Sequence, residues 1–283
     1  MPEQTSRAVI AVTGATGRLG GRVARRLADR GVAQRLVVRD PSRAPELSGA
    51  SVAAASFGDG AAVRAALEGV ETVLMVSAAE SPDRVEQHRT FVDAAVDAGV
   101  RHLVYISFYG AAANATFTLA RDHYATEAHI RATGLGHTFL RDNLYADFAP
   151  FLVGEDGVIR GPAGEGRVAM VAQDDIADAA TAVLLDPHAH DGRTYELTGP
   201  EALTLAEVAE VVQRVTGRPT SYHAETVEEA YRSRAVYQAP DWEVDAWVTT
   251  YTAIAAGELA VVTDHVQRLT GHAAAPLADV LAG

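Results

Sequence analysis

The sequence predicts an α/β protein, a doubly wound parallel sheet followed by a smaller C-terminal α+β lobe. Three observations predict it. A short apolar run, Val9-Ile10-Ala11-Val12-Thr13, leads through glycines at 14, 17 and 20 into an amphipathic stretch. Short apolar runs and helical stretches then alternate as far as Arg141. Beyond Gly154 that alternation gives way to glycine, proline and capping signals. Strand–helix alternation of the first kind builds parallel sheets with helices on both faces.

The opening run is too short for a helix and is bounded by glycine, so it reads as a buried parallel strand. Leu19, Val23 and Leu27 recur at helical spacing, and Gly31 ends that helix. A strand, a glycine turn and a helix N-terminus together point backbone N–H groups at an anion, which suits a pyrophosphate. The spacing is G-x-x-G-x-x-G, and its place between strand and helix at the chain start gives it meaning. The fold is therefore Rossmann-type. The residues expected at the phosphates are Gly14, Ala15, Thr16, Gly17, Arg18 and Leu19.

Further strands are expected at Arg35–Val38, Ser51–Ala55, Thr72–Ser77, His102–Ser107 and His137–Arg141. Helices are expected at Ala61–Leu67, Asp83–Ala98 and Leu119–Ala132, with Gly99 and Gly134 ending the last two. Gly154 to Gly166 reads as a loop or hairpin region. Asp174 and Asp175 are placed to cap a helix through Leu185, and Tyr195-Glu196-Leu197 reads as one more strand. Thr204-Leu205-Ala206-Glu207 and Thr226-Val227-Glu228-Glu229 are capping boxes, and Gly217 ends the first of their helices. Trp247, Tyr251 and Ile254 share one helical face and are expected to pack in a core. The division is a dinucleotide-binding domain over 1–150 and a mostly substrate-binding lobe over 151–283, with a strand near 194–198 returning to the main sheet.

Composition narrows the function. The chain has 283 residues, 48% of them hydrophobic, enough for a sizeable core. Its 24 basic and 37 acidic residues leave a net charge of −13, which argues against nucleic acid and acidic membrane surfaces as partners. With no cysteine, thiolate catalysis, thiolate-bound metal and disulfides are excluded. The scattered histidines form no metal-binding spacing, so no metal is expected. Met1 to Arg7 is polar and does not read as a signal peptide, so the expected setting is the cytoplasm, without membrane association.

In open α/β sheets the ligand sits beyond the carboxyl ends of the strands. Those ends supply Arg39, Ser56-Phe57, Ser77-Ala78-Ala79, Ser107 and Asp142-Asn143. The second strand ends in Arg39, with Ser42 and Arg43 close behind, where proteins selective for NAD place an acid. An arginine fork suits a 2′-phosphate, so NADP(H) is expected. Asp40 is the competing ribose ligand, but it precedes Pro41 and reads equally as a turn opener.

Several stretches together resemble a family. Gly14-Ala15-Thr16-Gly17-Arg18-Leu19-Gly20, Val38-Arg39-Asp40-Pro41 and the run from Ala98 to Ser107 are similar to the atypical short-chain dehydrogenase/reductases of the NmrA-like group. Leu119 to Glu127, Thr138 to Tyr145 and Tyr195 to Pro200 look like the bacterial NAD(P)H:quinone oxidoreductase type 2 subgroup. The resemblance runs over about residues 8 to 280 and is weakest after Glu225. It implies a two-domain body with NADP in the cleft and no flavin. Cofactor contacts would come from Gly14 to Leu19, Arg39, Arg43, Phe57, Ser77, Ala78, Ala79 and Ser107, with Asp142, Asn143 and Leu144 on the nicotinamide side. Three positions depart from the family pattern. Ser56 stands in place of an aspartate before Phe57, Asp142 replaces a residue of another type, and Gln173 replaces an arginine.

The usual tyrosine–lysine acid of short-chain dehydrogenases is missing, because Tyr124 has Ala128 four residues on. His123 precedes Glu127 by four, where relatives carry a lysine, and histidine exchanges protons near neutral pH. Tyr145 and Asn143 are the other candidates for touching substrate, while His88 reads as structural. A quinone suits this inventory, since an electron-poor ring accepts hydride with little acid assistance. The expectation is an NADPH-dependent oxidoreductase of quinones or similar small molecules, a monomer or homodimer. The alternatives are a silent NADP-binding redox sensor and a reductase of a secondary metabolite.

Overall fold

The computed structural model describes residues 10–283. The expected start of the first strand at Val9 and the polar stretch from Met1 to Arg7 lie outside the described residues.

The elements run β1 (Ile10–Thr13), α1 (Arg18–Asp29), β2 (Gln34–Val38), β3 (Ala50–Ala54), α2 (Gly60–Leu67), β4 (Thr72–Val76), α3 (Arg84–Asp97), β5 (His102–Phe108), α4 (Thr118–Thr133) and β6 (Gly136–Asp142). There follow β7 (Val158–Gly161), β8 (Arg167–Val168), α5 (Gln173–Leu185), β9 (Arg193–Leu197), β10 (Leu203–Thr204), α6 (Leu205–Thr216) and β11 (Ser221–Ala224). The chain ends in α7 (Val227–Arg234), α8 (Asp241–Ala255), α9 (His265–Thr270) and α10 (Leu277–Ala282).

Seven strands form one sheet in the order β3-β2-β1-β4-β5-β6-β9. β1 pairs in parallel with β2 and β4, β2 with β3, and β4 with β5. The order reverses at β1 and β4, so their carboxyl ends flank the switch point where such sheets take ligands. Thr13 Oγ1 accepts the Val76 N–H at 2.9 Å and ties those two ends together. All four residues of β1 and all seven of β5 are buried, as continuous apolar runs in a two-sided sheet require. The chain therefore has the Rossmann-type α/β fold its alternation predicts.

The single boundary expected near residue 150 gives way to an interleaved division. Unit 1 is Met1–Ser107, Ala125–Leu140 and Ile176–Tyr195; unit 2 is Phe108–Tyr124, Arg141–Asp175 and Glu196–Gly283. Sequence order hid this, because the segment carrying α5 returns to unit 1 after unit 2 has begun. In unit 1, Leu27, Leu67, Met75, Phe91, Tyr105 and Phe139 are fully buried. Arg26 on α1 holds Asp178 on α5 at 2.7 Å.

Unit 2 has its own core, in which Phe108, Phe117, Ile159, Leu205, Val208 and Ile254 are buried. Both capping boxes form, at Thr204 with Glu207 and at Thr226 with Glu229. Two expectations are corrected. The Gly154 to Gly166 stretch is not merely loop, since β7 within it pairs in parallel with β11. Its glycine serves close packing: a Cβ on Gly161 would collide with the Tyr251 ring. Asp174 and Asp175 lie within the first turn of α5 rather than ahead of it. There, the Gln173 N–H donates to Asp147 Oδ2 at 2.8 Å, and Asp175 Oδ2 accepts from the Ala275 N–H at 2.8 Å.

Candidate functional site

The loop from Gly14 to Gly17 is built around a left-handed turn at Gly14, with φ +65°, closed by Gly17 N–H donating to Gly14 O at 2.9 Å. The three glycines do different work. A Cβ on Gly20 would overlap the Gly14 carbonyl, so this glycine lets α1 sit against the loop. Gly17 caps α1 in an extended conformation, φ −94° and ψ 179°, without a side-chain cap, and the first turn of α1 has no acid. A Cβ there would meet only Gly14 O, at 3.2 Å, and the rest of its side chain would fill the space in front of the helix N-terminus. Uncapped N–H groups, in a first turn that carries no acid, fit a pyrophosphate. Gly14, Thr16, Gly17 and Arg18 are exposed around this cradle, while the Ala15 and Leu19 side chains are buried in unit 1, leaving only their backbones for a ligand.

Beyond β2, Arg39 and Arg43 are exposed, and among the described residues neither guanidinium donates a hydrogen bond or makes an ion pair. Asp40 is engaged in the turn: its Oδ1 accepts from Ser42 N–H at 3.0 Å and Ser42 Oγ–H at 2.7 Å. The Ser42 bonds hold its carboxyl below the usual range. The Asp-Pro turn thus accounts for Asp40 and leaves the cations at the strand end.

Phe57 lies half-buried with its ring 4.3 Å from Phe91. Ser77 and Ala78 are half-buried and Ala79 is exposed, beyond the end of β4. The Ala78 N–H donates to His88 Nε2 at 2.9 Å, and Ala78 O accepts from Arg84 Nε at 3.1 Å. With Nε2 accepting, the ring proton sits on Nδ1, which faces Thr126 Oγ1 at 2.9 Å. Burial, then the Arg84 charge, pushes His88 down to about 3, so it stays neutral. His88 is structural, as expected, but with a purpose the sequence did not reveal: it anchors the segment beside the cradle. Ser107 requires a correction. It is fully buried and its Oγ donates to the buried Glu127 carboxylate at 2.6 Å, so it offers no surface to a cofactor.

In unit 2, β6 runs into a segment fixed by backbone pairing, with Ala146 N–H donating to Val171 O and Val171 N–H to Leu144 O, each at 2.9 Å. This segment carries Asp142 to Tyr145. Asn143 is corrected from its candidate catalytic role. It is 1% exposed, its Nδ2 donates to Leu259 O at 3.0 Å, and its Oδ1 accepts the Leu144 N–H at 2.8 Å. His123 is buried with its ring 6.1 Å from that of Phe108, and it is not among the side chains lining the cavity described next. Tyr145 is, and its hydroxyl donates to Asp142 Oδ2 at 3.0 Å.

That cavity, of about 570 Å³, lies wholly within unit 2. Tyr145, Phe148, Phe151, Tyr237, Trp247 and Tyr251 give it an aromatic lining. The expectation for Trp247, Tyr251 and Ile254 is therefore corrected. Ile254 belongs to the core, but all three form a wall of the cavity. Helical spacing identified the shared face and not what it would face. Phe148, Phe151 and Tyr237 were missed altogether. Phe148 and Phe151 ride on a 3₁₀ turn, Ala146–Leu152, whose short tight geometry has no clear periodic signature. Departure Gln173 is buried and lies outside this lining.

A doubly wound sheet with a glycine cradle at its switch point defines a dinucleotide-binding protein of the Rossmann class. The NmrA-like family model matches residues 6–244, and the chain belongs to that family. It is 34% identical to quinone oxidoreductase 2 of Escherichia coli and 32% identical to the NAD(P)H azoreductase of Xenophilus azovorans, each alignment covering 96% of both chains. Its fold is similar to that of the NADPH-dependent quinone oxidoreductase of Escherichia coli solved with NADPH. There the TM-score is 0.87 at 32% identity, over 96% of this chain and 98% of that one. No helix among the described residues is long and apolar enough to cross a membrane.

Proposed function

We propose that the chain is an NADPH-dependent oxidoreductase that passes hydride to a quinone or a similar electron-poor aromatic, without flavin. The observation that carries this reading is the aromatic cavity of about 570 Å³, a volume typical of small-molecule sites. A protein that only sensed the nucleotide has no need of it.

Unit 1 holds the nucleotide. Backbone N–H groups of the Gly14 to Leu19 cradle bind the pyrophosphate, Arg39 and Arg43 take the 2′-phosphate, and Ser77 to Ala79, held by His88, line the middle of the cofactor. Phe57 is placed for the adenine. NADPH, when bound, supplies the hydride. Unit 2 holds the acceptor. Its aromatic walls orient a flat ring, and the Tyr145 hydroxyl, with Asp142 behind it, is its proton donor. Tyr145 displaces His123 as the favoured proton donor because Tyr145 faces the cavity and His123 does not. We place the acceptor among quinones, and the chain in the cytoplasm as a monomer or homodimer.

The test is NADPH oxidation by flavin-free protein against a panel of small quinones. Turnover without added flavin supports the reading. Tight NADPH binding with no turnover of any quinone favours the redox sensor instead.

A further inference from the structure

We propose that the unit 2 cavity selects aromatic acceptors that carry an acid group, such as a ring sulfonate or carboxylate, and that Arg160 reads the charge. This rests on the cavity being the acceptor site.

Among the described residues the lining contains two charged side chains, Arg160 and Arg234, and no acid. Their carboxylate partners, Asp156 and Glu225, are outside the lining, so the cations face inward and the anions stand behind. Ser233 Oγ and Thr250 Oγ1 are committed to Ala230 O and Ala246 O, and the Tyr145 hydroxyl is held by Asp142. Tyr237, Trp247 and Tyr251 add neutral O–H and N–H groups to the lining, so the guanidiniums are its charged donors for an anion.

The two arginines differ. Arg234 is 8% exposed and is consumed by the protein. Its Nη1 donates to Glu225 Oε2 and Ala230 O, its Nη2 donates to Arg160 O, and its guanidinium lies 5.3 Å from the Tyr251 ring centre. It is a fixed part of the wall. Arg160 is half-buried and, among the described residues, donates only to Asp156, from Nη1 at 3.0 Å and Nη2 at 2.6 Å. A guanidinium has five N–H groups, so three remain, in a fork that matches a sulfonate or carboxylate. The Asp156 bonds also keep Arg160 firmly protonated. In a chain of net charge −13, two inward-facing cations in an aromatic pocket mark where a ligand's negative charge is tolerated.

The experiment compares 1,4-naphthoquinone with 1,4-naphthoquinone-2-sulfonate in the full-length protein. The quantity read is the sulfonate-to-neutral ratio of kcat/KM in wild type, Arg160→Gln and Asp156→Asn. Comparing this ratio between proteins cancels the difference in quinone potential. Loss of a charge-assisted contact at a half-exposed site lowers the ratio about tenfold in Arg160→Gln. Asp156→Asn, which removes the carboxylate charge that competes for Arg160, raises it about threefold by the same logic. An unchanged ratio in Arg160→Gln overturns the proposal, and so does an equal fall in both variants, which would report damage to the loop. Quenching of the tryptophan fluorescence of Trp242 and Trp247 by each quinone, without NADPH, gives the corresponding ratio of dissociation constants. If no quinone is turned over, the enzymatic reading fails, while the quenching ratio still decides the role of Arg160.

Discussion

The Tyr145 hydroxyl donates to Asp142 Oδ2 at 3.0 Å, and only the tyrosine of this pair lines the aromatic cavity. A carboxylate behind a phenol fixes where the phenol points; the hydroxyl turns its hydrogen from Asp142 to the acceptor, and water restores the proton. General acid catalysis contributes roughly 10²–10⁴-fold, and an electron-poor acceptor needs no more than the low end of that range. Tyr145→Phe is expected to lower kcat by about tenfold to a hundredfold, with NADPH affinity retained. Asp142→Asn keeps an acceptor for the hydroxyl but removes the charge, so it should move the pH profile of kcat more than its plateau. His123→Ala, a change in a buried residue outside the cavity lining, should slow turnover less than Tyr145→Phe. Steady-state kinetics of the three variants across pH check this; a larger loss in His123→Ala would return the proton to the histidine.

NADPH is expected to bind more tightly than NADH. Arg39 and Arg43 stand exposed beyond β2, and Asp40 is occupied by Ser42. Removing one hydrogen-bonding partner of a phosphate costs about 1.5–3 kcal/mol, roughly ten- to 150-fold in affinity. Titrating both cofactors against wild type and Arg39→Ala measures it. An NADPH/NADH preference unchanged in Arg39→Ala would remove Arg39 from the 2′-phosphate.

Gly17 and Gly20 should fail in different ways. Gly17 has an extended backbone and open space before it, so Gly17→Val is expected to fold and to lose NADPH binding. At Gly20 a Cβ overlaps backbone carbonyls, so Gly20→Ala should lower the melting temperature as well. Calorimetric titration beside thermal melts separates the two; normal NADPH affinity in folded Gly17→Val would remove the pyrophosphate from the cradle.

Acid should loosen unit 1. Burial pushes His88 down to about 3 and His102 down to about 4 from an ordinary 6.5, the latter despite Asp191 nearby. Both histidines are neutral in the folded chain and take up protons on unfolding below about pH 6.5. The unfolded state therefore binds more protons, and stability rises with pH through that window. It is complete above about pH 6.5 and falls progressively toward pH 4, by up to about 1.4 kcal/mol per pH unit for each histidine. Urea unfolding between pH 4.5 and 7.5 tests this, with His102→Gln expected to flatten the slope.

The cradle was legible because it is local. Gly14, Gly17 and Gly20 lie within one strand–turn–helix, and each role follows from spacing that neighbours in sequence enforce. The same holds for Asp40, whose side chain reaches only two residues along. The cavity was not legible, since packing brings together Tyr145, Tyr237 and Trp247 from separate elements. The failure at Ser107 and Asn143 has one cause. Both stand at strand ends, where ligands bind, but a strand end does not reveal which polar groups already have partners, here Glu127 and the Leu259 carbonyl.

The contact between Arg26 and Asp178 spans 152 residues of chain, and it joins the helix that begins at the cradle to the segment that returns from unit 2. During synthesis at roughly 5–20 residues per second, Arg26 is made about 8–30 s before Asp178 exists. The nucleotide-binding half is thus first to be made and among the last to be completed. A nascent chain stopped after β6 would carry every residue of the glycine loop yet lack both α5 and the β9 strand that extends the sheet. Chaperones would meet this protein as one long folding problem, rather than as two domains finished in turn.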